Sequence, residues 1–255
     1  MNTATDETPG FIVADWPAPA WVHACTSLRS GGCSDGPWAS FNLGAHVGDE
    51  PQAVERNRAL LGRALALPSP PQWLDQVHGC TVVEARAGAA PRVADGVWSA
   101  APGVVCAVLT ADCLPVLLCD RAGTVVAAVH CGWRGLAAGV LGTAVQCLPV
   151  PSGELLAWLG PAIGPRAFEV GQEVRDTFLA RHDDTAVRAA FTPGDGHALR
   201  LHADLYALAR AELARLGVRQ VHGGGWCTHD SPELFYSYRR DGVCGRMASL
   251  VWIER

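Results

Sequence analysis

The 255-residue chain contains no lysine, so all 20 of its basic side chains are arginines. The absence of lysine excludes a Walker-type phosphate loop, a pyridoxal phosphate Schiff base and a lysine nucleophile. Arginine is therefore the permanently cationic side chain that remains for binding a phosphate or a carboxylate, and its planar guanidinium suits both groups.

Long apolar runs and an excess of positive charge are also missing. The most apolar stretch, residues 104–119, is interrupted by Thr110, Asp112 and Pro115 and is too short to span a bilayer. The net charge is −5 and the isoelectric point is near 6.0, so no basic stripe for nucleic acid is present. Residues 1–10 are polar, unlike a secretion signal. We expect a cytoplasmic protein that acts on a small molecule, without a membrane or nucleic-acid partner.

The spacing of cysteines and histidines excludes two further classes of site. None of the ten cysteines forms a Cys-x-x-Cys pair, so a zinc finger is not expected. No two of the nine histidines are separated by a single residue, whereas coupled copper sites usually use His-x-His pairs. Small secreted domains that depend on disulfides are much shorter than this chain, so we expect reduced thiols.

Apolar patterning predicts an α+β fold, because short β-branched runs and amphipathic stretches are mixed without strict alternation. We expect a lead-in segment at 1–19, loose or forming an edge strand, and a single catalytic domain at 20–255. Strands are expected at 82–83, 104–109, 116–119, 125–129 and 155–159, and in the tail at 235–252 around the Arg-Arg-Asp-Gly turn. Helices are expected from Pro51 to residue 65 and at 135–148, 169–181 and 204–216.

Three segments place metal-type ligands beside apolar strands: Gln76-Val77-His78-Gly79, Thr110-Ala111-Asp112-Cys113 and Val129-His130-Cys131-Gly132-Trp133-Arg134. Distant ligands of this kind suit a catalytic zinc with three protein ligands and one open position. Such a metal can activate a water molecule as a nucleophile. The spacing alone leaves open a structural alternative, in which Cys113 is a small core residue and His78 belongs to a turn.

Nine ordered motifs together give the chain a family resemblance. They lie at residues 40–43, 46–49, 57–58, 76–79, 94–96, 110–116, 130–135, 160–165 and 238–242. With them the chain resembles the YfiH-like family, or peptidoglycan editing factors, from about Thr26 to Trp252. Members have also been described as multicopper polyphenol oxidases, as laccase-domain proteins and as purine nucleoside phosphorylases.

The resemblance implies a zinc ion held by His78, Cys113 and His130. It also implies a single α+β domain of mixed β-sheets flanked by helices, similar to the catalytic domain of cytotoxic necrotizing factor toxins. The chain departs from the family pattern at Cys244, where threonine is usual, and at Leu28, where threonine or serine is common.

The activity implied by the resemblance is zinc-dependent phosphorolysis of adenosine, inosine, guanosine and methylthioadenosine, with adenosine deamination as a second activity. Besides Cys113 and His130, the catalytic candidates are Asp112 and His46, which could shuttle protons.

Five more residues are candidates for substrate binding. Arg58, Arg239 and Arg240 could bind phosphate, although a helix surface or a solvated turn would explain them equally well. Asn42 and Gln76 could hydrogen-bond a base or a ribose, although buried amides mostly bind backbone.

Other functions remain open at this point. Cys113 and His130 could form a cysteine hydrolase pair that removes L-serine from UDP-N-acetylmuramoyl-L-serine, the editing reaction of peptidoglycan synthesis. A copper polyphenol oxidase is less favoured, although two histidines and a cysteine could bind copper in vitro. A non-enzymatic binding module has no positive support, and His229 beside Cys227 is better explained as a loop residue. The sequence does not indicate an oligomeric state.

Overall fold

The structure is a computed structural model that describes residues 8–194 and 199–254. The strands of these residues are β1 Phe11–Val13, β2 Val22–Ser27, β3 Leu74–Asp75, β4 Val82–Glu84, β5 Arg92–Val93, β6 Gly96–Ser99, β7 Val105–Thr110, β8 Leu114–Asp120, β9 Val126–Cys131, β10 Leu155–Leu159, β11 Glu169–Gly171, β12 Phe191–Pro193, β13 Arg200–Ala203, β14 Gln220–Gly223 and β15 Met247–Ile253. The α-helices are α1 Pro51–Ala64, α2 Trp133–Ala138, α3 Val140–Cys147, α4 Gln172–Arg181, α5 Thr185–Ala189, α6 Leu205–Arg215 and α7 Tyr238–Asp241.

A mixed six-stranded sheet forms the centre of the fold, with strand order β14-β10-β8-β9-β6-β4. Its two outer pairs are parallel and its inner pairs are antiparallel. Every residue of β8 and β9 is buried, because both faces of the sheet are covered. This explains why these strands are continuous apolar runs rather than alternating ones.

A second, antiparallel sheet has the order β1-β2-β15-β7 and packs against one face of the six-stranded sheet. Cys106 and Val108 of β7 share a buried cluster with Leu117 of β8 and Val126 of β9. Helices α2 to α6 cover the opposite face of the six-stranded sheet. Helix α1 covers the outer face of the second sheet, where Leu61 packs against β7. The layers are therefore helix, sheet, sheet and helix, as burial of both sheets requires.

The predicted α+β class is confirmed, and the strand predictions at 82–83, 104–109, 116–119, 125–129 and 155–159 each match a strand to within two residues at either end. Helix α1 begins at Pro51 as predicted, since proline fits the first helical position and the Glu50 carboxylate accepts hydrogen bonds from the next free backbone N–H groups. Helix α6 is the predicted 204–216 helix, and Asp204 caps its start.

Three element predictions are corrected. The predicted helix at 135–148 begins earlier and is two helices, because Gly139 has φ of 99° and interrupts it. Residues Glu169–Gly171, predicted as helix, form β11 because they pair with β13. In the tail, Arg239, Arg240 and Asp241 of the predicted turn lie in the short helix α7, and Gly242 ends it. The Ser237 side chain accepts from the N–H of Arg240 at the start of this helix, and only β15 is a strand in the tail.

Two further expectations can be compared with the structure. The segment before Pro19 contributes an edge strand, since β1 pairs with β2. All ten cysteines are free thiols.

Within the two described ranges, no helix is long and apolar enough to cross a membrane.

Candidate metal centre and its cavity

His78, Cys113 and His130 come together where the two sheets meet. His130 lies near the end of β9, and Pro115 of β8 pairs with it, which brings the β7–β8 turn containing Cys113 alongside. His78 lies in the loop between β3 and β4. One ligand atom from each residue lies within 4.8 Å of the others, and Cys113 Sγ is 3.8 Å from His78 Nε2. The predicted triad is therefore a spatial cluster.

The distances suit a shared metal ion. With Zn–S near 2.3 Å and Zn–N near 2.1 Å, tetrahedral neighbours lie about 3.6 Å apart, close to the observed 3.8 Å between Cys113 and His78. His130 is buried, Cys113 is half-buried and His78 is exposed, so the cluster faces an opening on one side. Two imidazoles, a thiolate and one open position fit a catalytic zinc.

The backbone around the cluster adopts conformations that are rare for ordinary residues. His78 has φ of 61° and Asp112 has φ of 87°, both in the left-handed region. Such strain persists where surrounding contacts determine the conformation, and it is common at functional sites. His78 and Asp112 lie in the two turns that supply His78 and Cys113, whose side chains approach to 3.8 Å.

The ionisation of Cys113 depends on its histidine neighbours. Burial acts to raise the pKa of the thiol, but the charge and hydrogen bonds of His130 and His78 outweigh burial and hold the pKa well below its usual range. Burial likewise acts to lower the pKa of His130, whereas Cys113 and Asp95 raise it. Without metal, the pair therefore favours a thiolate beside an imidazolium, and the thiolate is the metal-binding form of cysteine.

The cluster lies on the wall of a cavity of about 570 Å³. The cavity is lined by His46, Gln76, His78, Leu109, Thr110, Ala111, Asp112, Cys113, His130, Trp133, Arg134, Ile163, Phe168, Tyr238, Arg239 and Arg246. This volume is within the range of small-molecule sites. The lining combines aromatic side chains with many polar and charged ones, three arginines among them.

Two predicted site residues line the cavity but have their polar atoms engaged by the protein. The Gln76 amide accepts from the N–H of Leu109 at 2.7 Å and donates to its carbonyl at 2.8 Å. The Asp112 carboxylate accepts from the Thr228 hydroxyl and from the Arg239 backbone N–H, each at 2.6 Å. Gln76 therefore holds the end of β7 through two hydrogen bonds to Leu109. Asp112 positions the segment that carries Arg239.

Three other predicted binding residues do not line this cavity. Asn42 is fully buried, and its amide makes four hydrogen bonds to Gly44, Asp49 and Arg246. Arg58 donates to the Leu43 carbonyl.

The guanidinium of Arg58 also lies over the Trp73 ring. Arg240 pairs with Asp241 and donates to the carbonyls of Thr228, His229 and Phe235. The alternative of binding to backbone therefore describes Asn42. Arg58 and Arg240 are half-buried and engaged by protein groups, rather than lying free on a helix surface or in a solvated turn.

Arg239 is the predicted phosphate ligand that does face the cavity. Its guanidinium lies over the Phe168 ring, and one terminal nitrogen donates to the carbonyls of Ala167 and Glu169. The structure adds Arg134 and Arg246, which sequence reasoning missed. Arg134 precedes Gly135 within the family motif at 130–135, and Arg246 follows Gly245 just after the motif at 238–242. These positions were the available signal.

The three cavity arginines keep donors free. Arg134 lies over Trp133, and Arg246 uses one terminal nitrogen for the carbonyls of Cys244 and Gly245. Among the residues that the structure describes, none of the three forms an ion pair. Guanidinium groups without a carboxylate partner are suited to bind an anion from solution.

His46, a predicted catalytic residue, is exposed at the cavity. Burial of part of the ring and the charges of Arg246, Arg58 and His130 lower its pKa, while Asp75 acts in the opposite direction. The imidazole is therefore neutral near pH 7 and can accept a proton or a hydrogen bond.

Comparisons with known proteins assign the chain to a family. A family described as multi-copper polyphenol oxidoreductase laccase matches residues 23–254. The chain belongs to this family. It is 58% identical over 244 residues to a purine nucleoside phosphorylase of Pseudomonas aeruginosa, covering 96% of this chain and 98% of that protein. It is 54% identical over 244 residues to the Escherichia coli purine nucleoside phosphorylase YfiH, covering 95% and 98%.

Solved structures of family members have the same fold. A Neisseria meningitidis protein matches with a TM-score of 0.91 and 50% identity, covering 96% of this chain and 99% of that one. YlmD from Geobacillus stearothermophilus matches with a TM-score of 0.86 and 29% identity, covering 92% and 93%. The resemblance to the YfiH family is confirmed, whereas the likeness to the necrotizing factor domain stays a prediction.

A multicopper laccase, as the family is described, holds several copper ions, whereas the described residues offer one candidate metal group. Across residues 8–194 and 199–254, His78, Cys113 and His130 are the one group of histidine, cysteine or acidic side chains arranged to hold a metal ion. Coupled multicopper centres need more ligands than this group supplies. The site therefore favours chemistry at a single metal ion.

Proposed function

We propose that the protein catalyses phosphorolysis of purine nucleosides at this cavity. A zinc ion would be held by His78, Cys113 and His130, and inorganic phosphate by Arg134, Arg239 and Arg246. The observation that carries the proposal is that the ligand cluster and three guanidinium groups with free donors line one cavity. The names of the Pseudomonas and Escherichia relatives support the same reaction.

Phosphorolysis transfers a ribosyl group to phosphate. A phosphate oxygen bonds to C1′ of the ribose as the C1′–N9 bond breaks, and the bond electrons leave with the purine, which takes up a proton. The products are ribose 1-phosphate and the free base. The developing positive charge on the sugar needs a nearby anion, and the arginines would hold the phosphate in that place and orientation.

The remaining cavity residues fit the nucleoside. Trp133, Phe168 and Tyr238 offer ring surfaces against which a flat purine can pack. His46 offers a neutral imidazole for proton transfer. Zinc, when bound, supplies a Lewis acid at the cavity wall. Asp112 acts as a positioning residue, since its carboxylate holds the backbone N–H of Arg239.

Zinc, rather than copper, is proposed because a half-buried thiolate and two imidazoles with an open position match a catalytic zinc set. Copper bound in vitro would use the same residues. The ten free thiols suit a reducing compartment, which supports the predicted cytoplasmic location.

Product analysis tests the proposal. Zinc-loaded protein is incubated with adenosine, with and without phosphate, beside a Cys113→Ala control. Adenine that forms only with phosphate and only with Cys113 present is the expected result. Inosine that forms without phosphate would replace phosphorolysis by deamination as the principal activity. If neither product forms, the nucleoside proposal is wrong, and UDP-N-acetylmuramoyl-L-serine is the next substrate to test, as the hydrolase alternative requires.

A further inference from the structure

Asp95 lies between two of the three metal-site residues and is inaccessible to solvent. Its Oδ1 accepts hydrogen bonds from the His130 Nδ1–H at 2.8 Å and from the His78 backbone N–H at 2.9 Å. Its Oδ2 accepts from the backbone N–H groups of Gly79 at 2.7 Å and of Val77 at 3.3 Å. One carboxylate therefore contacts both histidine segments of the cluster.

The sheet holds Asp95 in this place. Asp95 directly precedes β6, and Gly96 of that strand pairs with Val129 of β9. The backbone carbonyl of Asp95 accepts from the N–H of His130 at 2.7 Å, and its own N–H donates to Thr81. The backbone of Asp95 therefore cannot move away from His130 without breaking hydrogen bonds at the end of the β6–β9 pairing.

The contact with Asp95 determines which nitrogen of His130 can bind a metal. An ionised carboxylate only accepts hydrogen bonds, so Nδ1 of His130 must carry a proton. The unprotonated position of the neutral ring is then Nε2, which is the nitrogen left for a metal. A histidine that binds zinc usually makes a hydrogen bond of this kind through its other nitrogen.

The contacts with the 77–79 loop determine where the second histidine points. His78 has φ of 61°, an unfavourable conformation for a residue with a side chain. Three consecutive N–H groups, of Val77, His78 and Gly79, converge on the Asp95 carboxylate and compensate this strain. Without the Asp95 carboxylate these three hydrogen bonds are lost, and the loop is expected to leave the conformation that places His78 beside Cys113.

We propose that Asp95 is a positioning residue for the metal site, which fixes the ring tautomer of His130 and the loop conformation of His78 together. This inference rests on the proposed metal site but not on the identity of the substrate. It predicts that the charge of Asp95, and not only its size, determines metal affinity.

The substitution Asp95→Asn tests the charge with almost no change of shape. If the amide oxygen faces Val77 and Gly79, the NH₂ group faces the N–H of His78 and forces His130 into the tautomer with a proton on Nε2. If the amide is turned the other way, the NH₂ group faces the N–H groups of Val77 and Gly79. Either orientation puts a donor against a donor and disturbs one of the two histidines.

The matched control is Asp120→Asn. Asp120 is also a buried carboxylate, and it accepts hydrogen bonds from Thr124 and Val125 at the far end of β8. The length of β8 puts it about 20 Å from Cys113. Loss of this carboxylate should lower thermal stability and leave the metal site unchanged, so it separates a general structural effect from a positioning effect.

The experiment measures the zinc dissociation constant of each purified protein by competition with a chromophoric chelator. We expect Asp95→Asn to bind zinc about 10- to 100-fold more weakly than wild type, and Asp120→Asn to bind it equally well. In zinc-loaded wild type, the nitrogen-15 spectrum should show His130 with its proton on Nδ1.

The outcomes distinguish a failure of the proposed metal site from a failure of the role of Asp95 alone. Wild type that binds no zinc would overturn the metal site and the role of Asp95 together. Equal zinc affinity in wild type and Asp95→Asn would overturn the role of Asp95 alone. If Asp95→Asn does not fold, the wild-type spectrum decides, since a His130 proton on Nε2 in zinc-loaded protein would contradict the inference.

Discussion

A Cβ atom added to Gly132 would lie 2.7 Å from Cδ2 of His78. It would also lie 3.1 Å from the sulfur of Cys113. Gly132 has φ of −61° and ψ of 152°, which any residue can adopt, so its backbone does not require glycine. What requires glycine is the close approach of the two side chains proposed as metal ligands.

Gly132→Ala should therefore weaken zinc binding by about tenfold or more, because ligand positions must be held within about half an ångström. Zinc affinity, measured by chelator competition, checks this. Gly153→Ala is the control, since a Cβ there meets no atom within 4 Å. Unchanged affinity in Gly132→Ala would show that His78 and Cys113 do not share an ion.

Two of the cavity arginines, Arg134 and Arg246, should contribute measurably to phosphate binding. Arg134→Gln or Arg246→Gln removes a charged donor that no carboxylate of the described residues neutralises. Because a hydrogen bond to a charged group contributes about 1.5 to 3 kcal/mol, KM for phosphate should rise about 10- to 100-fold. The measurement is initial rate against phosphate concentration.

Arg63→Gln is the matched control for those variants, because Arg63 is exposed at a different cavity. Its KM for phosphate should equal that of wild type. A phosphate KM that is the same in Arg134→Gln, Arg246→Gln and wild type would exclude these arginines as the anion site.

Asn42→Ala should act on stability rather than on substrate binding. The substitution removes one of the donors to the Asp49 carboxylate, which keeps the Ser34 hydroxyl, and it leaves the backbone N–H groups of Gly44 and Arg246 without their acceptor. Burial of such unsatisfied groups costs about 1 to 3 kcal/mol each, so the free energy of unfolding should fall by several kcal/mol. Urea denaturation measures it. A raised KM with unchanged stability would restore the predicted role in substrate binding.

Zinc should protect Cys113 from alkylation. A thiolate that binds a metal is a poor nucleophile toward iodoacetamide, whereas the metal-free Cys113 thiolate beside His130 should react readily. Peptide mass spectrometry of zinc-loaded and chelator-treated protein measures the labelling of each cysteine. Exposed Cys33 is the internal control and should react equally in both samples. Rapid labelling of Cys113 in zinc-loaded protein would instead support a nucleophilic role in a cysteine hydrolase.

Local patterns were sufficient to predict most of the fold. Continuous β-branched runs predicted β8, β9 and β10, because burial on both faces leaves an apolar strand without alternation. Glu169–Gly171 could not be predicted as a strand, because its pairing with Arg200–Ala203 is a contact between distant segments. The sequence shows a glycine at position 139, but the positive φ with which Gly139 separates α2 from α3 is a property of the folded chain.

The candidate site was predictable to a different degree for each residue type. His78, Cys113 and His130 could be grouped with the help of the family resemblance, since spacings of 35 and 17 positions alone leave a structural alternative open. The arginines could not be sorted, because Arg240 and Arg246 lie six positions apart and only the folded chain shows which one faces the cavity. Asp95 belongs to the family motif at residues 94–96, but its contacts with both histidine segments depend on the β6–β9 pairing.

The most direct test of the account is detection of ribose 1-phosphate by phosphorus-31 NMR. Zinc-loaded protein is mixed with adenosine and inorganic phosphate, and Cys113→Ala and Arg134→Gln are measured in parallel. The account predicts a sugar phosphate signal that grows in step with adenine, is absent with Cys113→Ala and grows more slowly with Arg134→Gln at low phosphate. Adenosine consumption without any sugar phosphate signal, or an equal signal from Cys113→Ala, would contradict phosphorolysis at this metal site.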